Sequence, residues 1–100
     1  MRLAGKVALI SGGARGMGAV EGRLFAKEGA KVVLGDVRDE EGRQVAAEIG
    51  RGGGHALYAH LDVTRAADWE AAVELAVRRY GRLDVLVNNA GISIMSPIME

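Results

Sequence analysis

The sequence contains no cysteine, one proline and few aromatic residues. Without cysteine, disulfide frameworks, thiolate nucleophiles and cysteine zinc sites are excluded. The two histidines, His55 and His60, cannot hold a metal ion without carboxylate ligands, and we predict no metal site. The 13 basic and 13 acidic side chains give a formal net charge of zero. No charge excess therefore favours nucleic acid or an anionic membrane as a partner.

Long apolar runs are also missing. The first apolar run ends at Ser11, which two glycines follow, so it is too short for a signal-peptide core or a membrane span. We therefore expect a cytoplasmic protein with no membrane partner. The chain of 100 residues is enough for one small domain.

Short apolar segments alternate with helical patterns along the chain. Strands are predicted at residues 6–10, 31–35, 55–61 and 83–87, with a flexible glycine connector at 50–54. Helices are predicted to start near Met17, Asp39 and Ala66. Such alternation predicts an α/β fold of the Rossmann type, with a parallel sheet, right-handed crossovers and helices on both faces. These would be the first four strands of a doubly wound fold.

Each predicted helix has an apolar stripe that should face the sheet. The three stripes are Met17, Val20 and Leu24, with Phe25 beside them, in the first helix; Val45, Ala46 and Ile49 in the second; and Trp69, Val73, Ala76, Val77 and Tyr80 in the third.

Polar residues fall where the predicted strands end: Ser11, Asp36, Asp62 and Asn88. In an open α/β sheet, ligands bind in the crevice along the carboxyl edge of the strands. The pattern therefore predicts a ligand site at this edge.

A glycine loop with the spacing G-x-x-x-G-x-G joins the first strand to the first helix through Gly12, Gly16 and Gly18. Such a loop lets backbone N–H groups approach a pyrophosphate at the helix N-terminus. The alternative is an ordinary tight turn. A Walker A loop is unlike this sequence, because Ala19 and Val20 follow Gly18 where lysine and serine or threonine are needed.

Asp36 lies 18 residues after Gly18, close to the distance typical of a carboxylate that binds the adenosine ribose of NAD. The 2′-phosphate of NADP would meet a like charge there, so Asp36 favours NAD. Arg15 and Arg38 are nearby cations that weaken this argument, since either would pair with a phosphate. The alternative role of Asp36 is that of a turn residue.

Two further segments end strands. Asp62 and Val63 would contact the adenine through the carboxylate and the backbone, or else Asp62 or Thr64 caps the next helix. After Asn88 and Asn89, the small residues Ala90 and Gly91 would let a ring or sugar lie close to the backbone, unless the segment is a plain turn.

Residues 11–18 (SGGARGMG), Asp36, residues 61–64 (LDVT) and residues 88–91 (NNAG) together resemble the short-chain dehydrogenase/reductase family. The loop GGARG and the later Asp68-Trp69 pair are most similar to bacterial NAD-dependent hydroxysteroid dehydrogenases. The resemblance implies cofactor contacts from these residues: Gly12, Arg15, Gly16, Met17, Gly18, Asp36, Asp62, Val63, Asn89, Ala90 and Gly91.

The resemblance also implies hydride transfer between NAD and an alcohol or ketone, such as a steroid, in a homo-oligomer. The family's catalytic Ser and Tyr-x-x-x-Lys pattern are not found in this sequence. Four positions after each tyrosine, where the pattern has lysine, Tyr58 is followed by Asp62 and Tyr80 by Asp84. We therefore expect residues 1–100 to be the N-terminal part of a single dinucleotide-binding domain without catalytic residues. Two alternatives stay open, an NADPH-dependent 3-oxoacyl reductase and, if the chain is complete, a non-catalytic dinucleotide-binding module.

Overall fold

The computed structural model describes residues 3–89 as strands and helices that alternate along the chain. The elements are β1 (Val7–Ser11), α1 (Gly16–Lys27), β2 (Lys31–Asp36), α2 (Asp39–Arg51), β3 (His55–His60), α3 (Ala66–Tyr80) and β4 (Val85–Asn88). The predicted alternation is confirmed, with strand ends shifted by one or two residues. The connector predicted at 50–54 is wrong in part, because α2 continues through Arg51 and only residues 52–54 lie between α2 and β3. Those residues are tied to the helix, since the amides of Gly53 and Gly54 donate to the carbonyls of Gly50 and Ile49.

The four strands form one parallel sheet in the order β3-β2-β1-β4. Residues of β1 alternate between two apolar cores. Ala8 and Ile10 pack in one core with α1 and α2, and Val7 and Leu9 pack in the other with α3. Helices therefore cover both faces, which confirms the Rossmann-type α/β prediction. The chain order reverses between β1 and β4, where such sheets bind ligands.

Phe25 packs against the core, but the rest of the inward face of α1 differs from the predicted stripe. Met17, Val20 and Leu24 are 68%, 59% and 47% exposed. The buried residues of this helix are instead the small ones, Gly18, Ala19 and Gly22. A Cβ on Gly22 would lie 2.7 Å from Leu34 Cδ2, so the helix backbone lies directly against the β2 side chains. The hydrophobic pattern misled because this helix approaches the sheet through residues that carry almost no side chain.

The other two helices follow their predicted faces more closely. In α2, Val45 and Ile49 are buried and Ala46 packs against the same core. In α3, Ala72 and Ala76 are the buried pair, while Val77 is 47% exposed, contrary to the prediction. Val77 lies about 100° around the helix axis from Ala76, beyond the face that meets the sheet.

No helix among residues 3–89 is both long enough and apolar enough to cross a membrane.

Two glycines of α2 provide a matched test of this packing. A Cβ on Gly50 would meet nothing within 4 Å, whereas a Cβ on Gly42 would collide with the Tyr58 ring. We predict that Gly50→Ala raises the free energy of unfolding by about 0.5–1 kcal/mol, because alanine favours helix. Gly42→Ala should lower it by about 1–3 kcal/mol through overpacking.

Chemical denaturation of both variants and the parent measures the two changes. Equal effects of the same sign would contradict the packing of Tyr58 against α2.

Candidate dinucleotide-binding site

The carboxyl ends of the strands lie side by side in register. Ser11 pairs with Gly35 on one side and with Asn88 on the other, and Asp36 pairs with His60. The polar strand-end residues predicted from the sequence are therefore brought to one edge of the sheet.

The glycine loop turns directly above this edge. Gly12 and Gly16 have φ angles of 67° and 62°, a conformation that L side chains rarely adopt. A Cβ on Gly18 would collide with the Gly12 carbonyl, while a Cβ on Gly16 would point into open space. Gly12 and Gly18 therefore close the turn, and Gly16 leaves the front of the loop open.

The N-terminus of α1 begins in this loop without a side-chain cap. Its N-cap residue, Arg15, makes no side-chain capping bond, and the first turn contains no acidic residue. The first N–H groups of a helix have no intrahelical acceptor, and the helix dipole places partial positive charge there. This end of α1 is suited to an anion. Arg15 and Met17 lie exposed beside it.

The Asp36 carboxylate joins the end of β2 to the glycine loop. Its Oδ2 accepts the Ala14 amide at 3.0 Å. Its Oδ1 accepts the amides of Val37 at 2.7 Å and Arg38 at 3.1 Å. The residue is only 8% exposed, so three main-chain donors hold a nearly buried acidic residue beside the turn.

The side chains of Tyr58, Asp39 and His60 form a hydrogen-bonded cluster next to the Asp36 carbonyl group. The Tyr58 hydroxyl lies 2.5 Å from both the Asp36 carbonyl oxygen and Asp39 Oδ1, so its single proton has two acceptors. The ring nitrogen Nδ1 of His60 lies 2.8 Å from the same Asp39 oxygen. Hydrogen bonds from Tyr58, and after it His60, lower the pKa of Asp39. The hydrogen bond to Asp39 raises the pKa of His60.

The predicted adenine-contacting residues lie in a short turn after β3. Asp62 Oδ1 accepts the Thr64 amide at 3.0 Å and its hydroxyl at 2.7 Å. The N-cap residue of α3 is Arg65, which makes no side-chain capping bond, so the alternative in which Asp62 or Thr64 caps that helix is wrong. The Trp69 indole donates to the Val63 carbonyl at 2.9 Å while its ring packs on the core, which fixes the turn.

Ser11 and Glu21 hold the segment after β4. The Ser11 hydroxyl lies 2.7 Å from Asn88 Oδ1 and accepts the Asn89 amide at 3.0 Å. The Asn89 side chain donates to Glu21 Oε1 at 2.6 Å and to the Ser11 carbonyl at 3.3 Å. Asn89 is thereby tied to both β1 and α1. The predicted contacts at Ala90 and Gly91 lie outside the described residues.

The supporting contacts of Glu21, Asp39 and Tyr58 were not predicted from the sequence. Their partners lie at least 19 positions away, and spacing along one element does not reveal such contacts. Gly42 did carry a signal, since a glycine inside a helix often marks a close approach, here of the Tyr58 ring.

Neither tyrosine of the chain resembles a catalytic base. Burial, and after it the Asp39 carboxylate, raises the pKa of Tyr58, the opposite of what a base near neutral pH needs. Burial also raises the pKa of Tyr80, whose ring packs on the core beneath Lys31. Within residues 3–89, no group of three or more potential metal ligands occurs.

A groove of about 460 Å³ lies at the opposite edge of the sheet, between α1, α2 and residues 52–54. Two of its charged side chains pair with each other, since Arg23 lies 2.6 Å from Glu48. The carboxyl edge, where main-chain donors and a fixed carboxylate converge, is therefore the candidate site.

The model of the short chain dehydrogenase family matches residues 6–100. The chain belongs to this family. Membership confirms the resemblance read from the motifs, and it implies a nicotinamide dinucleotide cofactor without distinguishing NAD from NADP.

Two curated relatives illustrate the match. The 3-alpha-(or 20-beta)-hydroxysteroid dehydrogenase of Mycobacterium tuberculosis is 63% identical over 91 residues, which cover 91% of this chain and 34% of that protein. The 2,5-dichloro-2,5-cyclohexadiene-1,4-diol dehydrogenase of Sphingobium indicum is 56% identical over 91% of this chain and 36% of that protein. The chain thus spans about a third of the length of these relatives.

Two solved structures of dehydrogenases are similar to this chain in fold. A hydroxysteroid dehydrogenase from Escherichia coli superposes with a TM-score of 0.86 at 38% identity, covering 90% of this chain and 37% of that one. A dehydrogenase/reductase from Sinorhizobium meliloti gives the same TM-score at 41% identity, covering 99% and 40%.

The Asp39–His60 contact predicts a pH dependence. Because Asp39 stabilises protonated His60, with weaker attraction from Asp68 and Asp62, the contribution to stability is complete below about pH 6.5 as long as Asp39 stays ionised. It is lost as the pH rises through the raised pKa of the folded state. We predict that Asp39→Asn lowers the His60 pKa, measured by NMR titration of the imidazole protons.

Glu40→Gln is the control, because it removes the same charge from the same helical turn. An unchanged His60 pKa in Asp39→Asn would refute the contact.

Proposed function

We propose that this chain is the NAD-binding part of a dehydrogenase that transfers hydride between the cofactor and an alcohol or ketone. The observation that carries the proposal is the Asp36 carboxylate, held by three main-chain amides beside an uncapped helix N-terminus. This pair offers an acceptor for ribose hydroxyls and a donor set for a pyrophosphate at one edge of the sheet.

In this proposal the glycine loop binds the pyrophosphate. The amides at the start of α1, from Gly16 to Gly18, donate to its oxygens, with Gly12 shaping the turn and Arg15 and Met17 lying against the cofactor. The open space in front of Gly16 supports this role, because the cofactor needs close approach to the backbone there.

The remaining proposed contacts follow the sheet edge. Asp36 accepts hydrogen bonds from the adenosine ribose, and Asp62 with Val63 borders the adenine. Asn89, with Ala90 and Gly91, contacts the ribose on the nicotinamide side. The bonds from Asn89 to Ser11 and Glu21 support a fixed orientation of that side chain. When bound, the nicotinamide supplies the hydride acceptor or donor.

NAD is preferred over NADP because Asp36 cannot turn away from a 2′-phosphate. Rotating its side chain would leave three amides without their acceptor, and an unsatisfied buried donor costs about 1–3 kcal/mol. The Asp36 carboxylate would therefore stay close to the 2′-phosphate of NADP and repel it, whereas the ribose hydroxyls of NAD can donate hydrogen bonds to it.

We further propose that residues 1–100 are the N-terminal part of a single Rossmann domain. The exposed apolar side chains of Met17, Val20 and Leu24 support this, since isolated domains rarely leave such a stripe uncovered. In the relatives, the chain accounts for about a third of the length, so the catalytic groups would lie in the remainder. The proposed protein is cytoplasmic and homo-oligomeric. Its proposed substrate is a small alcohol or ketone such as a steroid, in line with the names of its relatives.

The proposed preference for NAD gives a test with a matched control. Asp36→Ala should reduce the ratio of the NADPH to the NADH dissociation constant about tenfold or more, because hydrogen bonds to charged groups contribute about 1.5–3 kcal/mol. Titration of the full-length protein with each reduced cofactor, followed by nicotinamide fluorescence, measures the ratio.

Asp84→Ala is the control. Asp84 is also 8% exposed and accepts a main-chain amide, from Val7 at 2.8 Å, but at the far ends of β1 and β4. Both variants should lose stability, and only Asp36→Ala should lose selectivity.

A parent protein that prefers NADPH would favour the 3-oxoacyl reductase alternative, and NADH binding by a chain that carries no catalytic groups would favour the non-catalytic module.

A further inference from the structure

Two arginines lie beside the main-chain donors that hold the Asp36 carboxylate. Arg15 follows Ala14, whose amide donates to Asp36 Oδ2, and the Arg38 amide donates to Asp36 Oδ1. Both arginine side chains are about half exposed. Guanidinium groups bind phosphate through paired N–H donors, so this pair would offset the repulsion that Asp36 exerts on a 2′-phosphate.

One side chain, Glu41, lies between these two arginines. Its Oε2 is 3.8 Å from Arg15 Nη1, and its Oε1 is 3.7 Å from Arg38 Nη1. Each carboxylate oxygen thus faces one guanidinium. Glu41 lies in the first turn of α2, and through Arg15 it bridges that turn to the start of α1.

We propose that Glu41 is a specificity-determining residue that excludes a 2′-phosphorylated cofactor by occupying Arg15 and Arg38. The inference rests on the proposed NAD-binding function and adds a second determinant to Asp36. With Glu41 present, the two arginines are balanced by two carboxylates, Asp36 and Glu41. A phosphate monoester of about −1.5 to −2 charge would have to displace Glu41 and would still meet Asp36.

The neutral ribose hydroxyls of NAD make no such demand. Removing the Glu41 charge frees both guanidinium groups and leaves the Asp36 acceptor in place. The change should therefore strengthen NADPH binding and leave NADH affinity nearly unaltered. Loss of Asp36, in contrast, should weaken NADH binding.

The test is Glu41→Gln in the full-length protein, with NADH and NADPH dissociation constants measured by nicotinamide fluorescence. The two Glu41 ion pairs are exposed and therefore individually weak, so we expect the NADPH dissociation constant to fall about two- to thirtyfold. Glu40→Gln is the matched control, because it removes the same charge one residue away without an arginine contact. Its selectivity should stay near that of the parent.

Two further variants assign the gain to the arginines. In Glu41→Gln combined with Arg15→Gln, and in Glu41→Gln combined with Arg38→Gln, the gain in NADPH affinity should shrink or vanish. Equal selectivity in Glu41→Gln and Glu40→Gln, with NADH still bound, would overturn this inference alone. A parent protein that binds neither cofactor would overturn the proposed function, and the inference with it.

Discussion

The Asp36 carboxylate is the interaction on which the candidate site depends. It accepts hydrogen bonds from the main-chain amides of Ala14 in the glycine loop and of Val37 and Arg38 in the turn before α2. One side chain therefore fixes the positions of the loops that precede both helices on this face of the sheet. Its charge is largely removed from solvent and is stabilised by donors that cannot rotate away, so it presents a fixed acceptor at the ligand edge.

Packing against the sheet explains why this carboxylate is so well placed. The small residues of α1 bring the helix backbone onto β2, and Gly18 lets the start of that helix touch the glycine loop. From the other side, the Tyr58 hydroxyl supports the Asp36 carbonyl, and Gly42 makes room for the Tyr58 ring. The site is therefore built from close backbone approaches more than from large side chains.

Sequence alone predicted the alternation of elements, the parallel sheet and the alignment of Ser11, Asp36, Asp62 and Asn88 at one edge, because these follow from local periodicity and from the geometry of parallel sheets. It did not predict the inward face of α1, since hydrophobicity favoured Met17, Val20 and Leu24 while close approach required glycine and alanine. The contact between Glu41 and Arg15 was not predicted either, because it joins residues 26 positions apart. Individual cofactor contacts stay predictions.

The central claim, that the carboxyl edge of the sheet holds the dinucleotide, is tested most directly by hydrogen exchange of the full-length protein with and without NADH. The amides at the start of α1 have no intrahelical acceptor, so bound pyrophosphate should slow exchange in residues 12–18. Exchange in residues 50–54, beside the groove at the opposite edge, should not change. Protection confined to residues 50–54, with none in the glycine loop, would contradict the account.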